Sequence, residues 1–136
     1  MNKIKKILGI DYGGKRIGTA IGFLDGKISI PQEVIENKNF DFVLGEIKRI
    51  VKEEDIDLII VGLPISLSGE KKSDQLKQTK IFIDKLKKDI NLKVVEEDER
   101  LSSKEAGNLL LGSKGGKRDD VAAMLILQSY MNKATL

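Results

Sequence analysis

At 136 residues the chain has the length of one domain, spanning 1–136, and can bury roughly two-thirds of its unfolded surface in a single core. It contains neither cysteine nor histidine, which excludes disulfides, thiolate metal sites, imidazole bases and His-based triads, and leaves carboxylates, lysines and hydroxyls to carry any chemistry. Its 24 Lys+Arg against 21 Asp+Glu permit a polyanionic partner without demanding one, and no apolar run approaches the ~20 residues of a membrane helix.

The opening MNKIKKILGI superficially resembles a signal peptide, but its apolar stretch is short, Asp11 interrupts it and no small-residue cleavage site follows. The prediction is a cytoplasmic chain that begins with a strand over residues 4–10. GTAIGFLDGKISIPQEVI predicts two more strands joined at an Asp25-Gly26 turn, the last ending near Pro31. Asn39 or Asp41 caps a helix over about 40–53, in which Phe42, Val43, Ile47, Ile50 and Val51 recur at helical spacing. IDLIIVGLP is a continuous apolar run stopped by Gly62 and Pro64, the pattern of a parallel strand covered on both faces. After the polar loop SLSGEKKSDQ, Ser73 caps a helix whose apolar face is Leu76, Ile83, Leu86 and Ile90. Residues 92–97 predict a short strand, SSKEAGNLLL a short helix with a Ser/Glu105 capping arrangement, GSKGGKR a glycine-rich basic loop, and DDVAAMLILQSYM a nearly wholly apolar helix that belongs to the core. The sum is an α/β fold with three antiparallel strands followed by alternating helices and parallel strands.

In open α/β sheets the working crevice lies at the carboxyl ends of the parallel strands. Three acidic groups fall there: Asp11 ends the first strand, Asp98 and Glu99 the last, and Asp119 with Asp120 open the final helix. Carboxylates brought together repel, so cations or raised pKa values must relieve them. With oxygen donors only, the relieving ions would be Mg²⁺ or Mn²⁺, which also activate water for attack on a phosphodiester. Each acid also has a plainer role available: Asp11 before Gly13 and Gly14 as a turn residue, Asp119 or Asp120 as a helix cap, Asp98 and Glu99 as solvated partners of Arg100. Lys15 and Arg16 follow the glycine pair, where they could meet phosphate oxygens, and Lys114, Lys117 and Arg118 belong to the glycine-rich loop predicted before Asp119. Tyr12 and Phe23 are the aromatic residues nearest the acids in sequence.

The segments GIDYGGKRIGTAIG, IIVGLP, DERLSSKEA and D-x-x-A-A followed by LQSYM resemble, in order and spacing along nearly the whole chain, the YqgF family, also called RuvX, of bacterial RNase H-like nucleases. The resemblance implies an RNase H-like fold, a mixed five-stranded sheet flanked by helices, with two divalent metal ions on acidic residues. By motif position Asp11, Asp98 and Glu99, and Asp119 are the family's acids, and Asp120 is a neighbour. Asp11, Glu99 and Asp119 would hold metal, with strand register deciding between Asp98 and Glu99. Lys15, Arg16, Arg100, Lys114, Lys117 and Arg118 would meet nucleic acid. The implied function is maturation of the 5′ end of pre-16S ribosomal RNA, on the assembling ribosome, or cutting of four-way DNA junctions, by a monomer or homodimer. Between Glu105 and Asp119 the family usually has a longer segment with an aromatic-Arg pair, and AGNLLLGSKGGKR here leaves Lys114, Lys117 and Arg118 to serve instead. Two readings of other classes stand beside these: the D-x-G-G opening also resembles the phosphate turn of actin-like ATPases, which need two such domains, and an inactive module of this fold would only bind nucleic acid.

Overall fold

The six residues KILGID form β1 (Lys6–Asp11), with every residue after Lys6 buried, as a central strand covered on both faces requires. The structure, a computed structural model, describes residues 4–64, 73–98 and 119–134, with backbone alone at 73, 119, 120 and 134. Around β1 stand β2 (Arg16–Phe23), β3 (Ile28–Glu36), α1 (Phe40–Glu54), β4 (Leu58–Leu63), α2 (Ser73–Asp89), β5 (Val94–Asp98) and α3 (Asp119–Ala134). The strands form one sheet in the order β3-β2-β1-β4-β5, the first three antiparallel and β4 and β5 parallel to β1. This is the mixed five-stranded sheet that the resemblance implies.

Strand alternation sends neighbouring side chains to opposite faces. Leu8 and Ile10 of β1, with Ile59 and Val61 of β4, pack under α1 and α2 against Ile47, Ile50, Ile83 and Leu86. Ile7, with Leu58 and Ile60, packs under α3 against Ala123, Ile126, Leu127 and Met131. The last helix is therefore core, as its apolar sequence predicts. It lies so close to the sheet that a Cβ on Gly9 would sit 2.5 Å from Leu127 Cγ and 2.9 Å from the Ala123 carbonyl oxygen.

Helix α1 starts at Asn39, whose Oδ1 accepts from the Phe42 N–H at 2.8 Å, while Asp41 occupies the first turn. Its Arg49 binds Glu46 and Glu53 on the same helix and Glu33 on β3, fastening helix to sheet edge. The turn before β3 has Gly26 at φ +87 and Lys27 at φ 51, in keeping with the predicted Asp25-Gly26 turn.

The sequence predicts an end to the third strand near Pro31; the strand instead runs to Glu36. Proline has no N–H for the ladder, but β3 is an edge strand, and its register slips between the Gly18 and Ala20 pairings. Across that slip the buried Thr19 hydroxyl donates to the Glu33 carbonyl at 2.6 Å and accepts the Glu33 N–H at 2.9 Å, so a side chain replaces the missing rung. Gly62, expected to stop β4, lies within it, and Pro64 follows the strand directly. The predicted strand 92–97 is displaced to 94–98, which makes Asp98 its last residue. The predicted helix in SSKEAGNLLL and the basic loop after it lie outside the described residues, as do the Ser73 side chain and the SLSGEKK segment.

Candidate nucleic-acid cleavage site

Asp11 closes β1 on the face that carries Ile7 and Gly9, beneath α3, and is buried at 5% exposure. Its pairing partner on β2 is Gly18. On β4 the register, one step past Ile10 and Val61, sets Gly62 beside it. Glycine on both neighbouring strands means that the positions flanking Asp11 within the sheet carry no side chain. Both glycines belong to motif segments, RIG and VGLP.

The turn after Asp11 is fixed by its own backbone and by Asn37. A Cβ at Gly13 would sit 2.4 Å from the Arg16 carbonyl oxygen, so the turn closes only with glycine there, whereas a Cβ at Gly14 would meet nothing within 4 Å. Asn37 Nδ2 donates to the Gly13 carbonyl at 2.9 Å and the Asn37 N–H to the Lys15 carbonyl at 3.0 Å. Asn37 reaches the turn because β3 continues past Pro31. Lys15 and Arg16 lie exposed on this clamped turn, Arg16 as the first residue of β2.

On β5, Glu97 pairs with Gly62 and so faces α3 in the same row as Gly18, Asp11 and Gly62. It is 6% exposed, accepts a hydrogen bond from Ser129 Oγ at 2.9 Å and forms an ion pair with Lys133 Nζ at 2.9 Å. Sequence reasoning passed over Glu97; the alternation of VVEED, with Val95 toward α3, was the available signal. Asp98 pairs with Leu63, which packs under α1 and α2, and so faces the opposite side from Asp11.

Helix α3 runs against the direction of β1. Ser29 Oγ contacts the Met124 carbonyl and Gln128 Oε1, and Gln128 Nε2 donates to the Lys27 carbonyl, so the helix tracks β3 backwards from 29 to 27. Its first residue, Asp119, therefore starts toward the carboxyl end of β1, about one helical turn before Ala123, while its last turns cross to Glu97 on β5. The side chain of Asp119 lies outside the described residues, as do Glu99, Arg100, Lys114, Lys117 and Arg118. Among the described residues no three acids gather in a metal-holding group.

On the other side of the strand end, Tyr12 follows Asp11 and stacks on Phe82 of α2, with ring centroids 4.6 Å apart and planes 30° from parallel. Phe40 meets Phe82 edge to face at 6.2 Å. These rings line a cavity of about 240 Å³ with Val43 as floor and Asn37 and Lys85 at its rim. Phe40 and Phe82 lie far from Asp11 in sequence, which is why Tyr12 and Phe23 alone were expected near it.

A family model described as RuvX, Holliday junction resolvase, matches residues 5–133. The chain belongs to the RuvX family. Relatives similar to this chain include one from Fusobacterium nucleatum subsp. nucleatum, 42% identical with 95% of this chain and 98% of that protein covered, and one from Mesomycoplasma hyopneumoniae, 38% identical with 97% of each covered. Both carry the name "Putative pre-16S rRNA nuclease". Among solved structures, Thermus thermophilus RuvC in complex with Holliday junction substrate aligns with a TM-score of 0.62 at 10% identity, covering 96% of each chain. The fowlpox virus Holliday junction resolvase aligns at 0.56 and 17% identity over 94% of this chain and 99% of that one. At such identities the likeness concerns the fold, which is RNase H-like. No described helix is long and apolar enough to cross a membrane.

Proposed function

We propose that this RuvX chain is a cytoplasmic, divalent-metal-dependent nuclease that trims the 5′ end of pre-16S ribosomal RNA. The names of its relatives at 38–42% identity supply the substrate class. The observation that carries the chemistry is Asp11, a buried carboxylate at the carboxyl end of the central strand, with Gly18 and Gly62 on the strands either side.

The donors fit a hard cation. They are carboxylate oxygens only, the ligands that Mg²⁺ and Mn²⁺ prefer. Asp11, Glu99 and Asp119 would hold Mg²⁺ or Mn²⁺, and the ion would lower the pKa of a bound water and offset charge at the leaving oxygen. The opposite facing of Asp98 supports Glu99 over its neighbour as ligand. Lys15 and Arg16, on the turn clamped by Asn37, orient the substrate by its phosphates, with Arg100, Lys114, Lys117 and Arg118 extending the basic surface. Burial of Asp11 excludes bulk water from the reacting centre and strengthens each of these interactions.

The family description favours a second reading, resolution of four-way DNA junctions, which is the same chemistry on another substrate and suits a homodimer. Incubating the protein with end-labelled precursor rRNA and, separately, a four-way DNA junction, each with Mn²⁺ or EDTA, decides between them. Cutting of the RNA supports maturation, and cutting of the junction alone moves the assignment to a resolvase. Equal metal-free cutting would remove both.

A further inference from the structure

We propose that the cavity beside Tyr12 holds one unpaired nucleobase of the strand whose phosphate lies at Asp11. The inference rests on the nuclease reading and adds a specificity element to it: recognition of single-stranded nucleic acid by stacking.

Of the chain's four phenylalanines and two tyrosines, three meet in this cavity. Val43 and Phe82 are 1% and 4% exposed and form its floor, while Tyr12 and Phe40 are half-buried and present ring surface to its interior. At about 240 Å³ the space is below the range of roughly 300–1,000 Å³ usual for drug-sized ligands, and suits a single planar ring system. Base stacking on aromatic rings is tolerant of sequence, because every base has a π-face.

Its rim is polar and positive. Lys85 Nζ lies 5.4 Å from the Phe40 ring centroid, and Asn37 is held in place by its bonds to Gly13 and Lys15. The ammonium meets a phosphate or a base carbonyl, and the amide reads a base edge.

Position links the cavity to the chemistry. Asp11 and Tyr12 are consecutive, about 3.8 Å apart at Cα, and their side chains fall on opposite sides of the strand end. A strand crossing the carboxyl edge of the sheet would set its phosphate on the Asp11 side and turn the attached base to the Tyr12 side. A paired base cannot make that turn, so duplex is disfavoured at the cut.

The test uses octamers with 2-aminopurine placed at each position in turn, as RNA and as DNA, titrated with the whole chain in EDTA so that no cleavage is needed. Stacking quenches 2-aminopurine. The expected result is quenching by the wild type and by Tyr12→Phe, with affinity lowered roughly tenfold or more in Tyr12→Leu and Phe40→Leu. Thermal melts identify which variants remain folded, and Lys85→Ala, an exposed rim change, serves as a further variant with weakened binding expected. Preference between the RNA and DNA arms names the source of the base. Absence of quenching at every position, or folded leucine variants that bind like the wild type, overturns the inference while leaving nuclease activity to stand or fall on its own assay. Quenching lost in the leucine variants together with no cleavage of any substrate would uphold the pocket and remove the nuclease reading.

Discussion

Asp11 and Asp98 close two parallel strands of one sheet with their side chains on opposite faces, Asp11 toward α3 and Asp98 toward the layer of α1 and α2. Metal linked to the Asp11 face therefore depends on Asp11 and not on Asp98. Saturation at a hundred times Kd stabilises a fold by about 2.7 kcal/mol. For a chain of this size that raises Tm by several degrees. Mn²⁺ should raise the Tm of the wild type and of Asp98→Asn alike and leave Asp11→Asn unmoved, as read by differential scanning fluorimetry with and without EDTA. Loss of the shift in Asp98→Asn alone would reverse the assignment of the pair.

Two glycines in the opening motif region have opposite tolerances. Gly9→Ala drives a methyl to within 2.5 Å of Leu127 Cγ and 2.9 Å of the Ala123 carbonyl oxygen. Overpacking of this kind costs about 1–3 kcal/mol. Gly14→Ala enters open space and should change stability by less than about 0.5 kcal/mol. Urea unfolding of the two variants measures the difference directly.

The Glu97–Lys133 pair is asymmetric, with the carboxylate side chain 7% and the lysine 49% exposed. Lys133→Met leaves a buried carboxylate that accepts from Ser129 but has lost its cation, a loss of about 1–3 kcal/mol. Glu97→Gln keeps an acceptor for Ser129 and leaves an ammonium that water already solvates, at a cost below about 1 kcal/mol. Chemical denaturation should rank Lys133→Met as the more damaging change, and the reverse order would mean that the carboxylate's charge anchors the end of α3.

Lys15 and Arg16 are predicted to act through phosphate charge. Each replaced by Ala should reduce the slope of log K against log salt for a single-stranded oligonucleotide by about 0.7. Filter binding between low and moderate salt reads this slope, and an unchanged slope would place these side chains away from the backbone of the substrate.

Much of this was legible in the sequence, for definite reasons. Apolar runs fix strands buried on both faces, so β1 and β4 are visible in KILGI and LIIVGL, and the capped amphipathic pattern marks α1. The third strand was cut short because Pro31 breaks a local pattern, while the compensating Thr19–Glu33 bonds come from 14 residues away. The same non-locality hid Asn37 as the clamp on Gly13, and Phe40 and Phe82 as companions of Tyr12. Asp11 was readable because an acid ending an apolar run is locally anomalous, whereas Glu97 sits among other acids and declares itself only through register with Gly62.

The most direct test of the account is the rate at which wild type and Asp11→Asn cut labelled precursor rRNA across a Mn²⁺ titration, with folding of the variant checked by its melt. The account predicts cutting that vanishes in EDTA, rises with Mn²⁺ in the wild type, and falls by about a hundredfold or more in Asp11→Asn. A folded Asp11→Asn that cuts as fast as the wild type, or cutting that persists without metal, would contradict it.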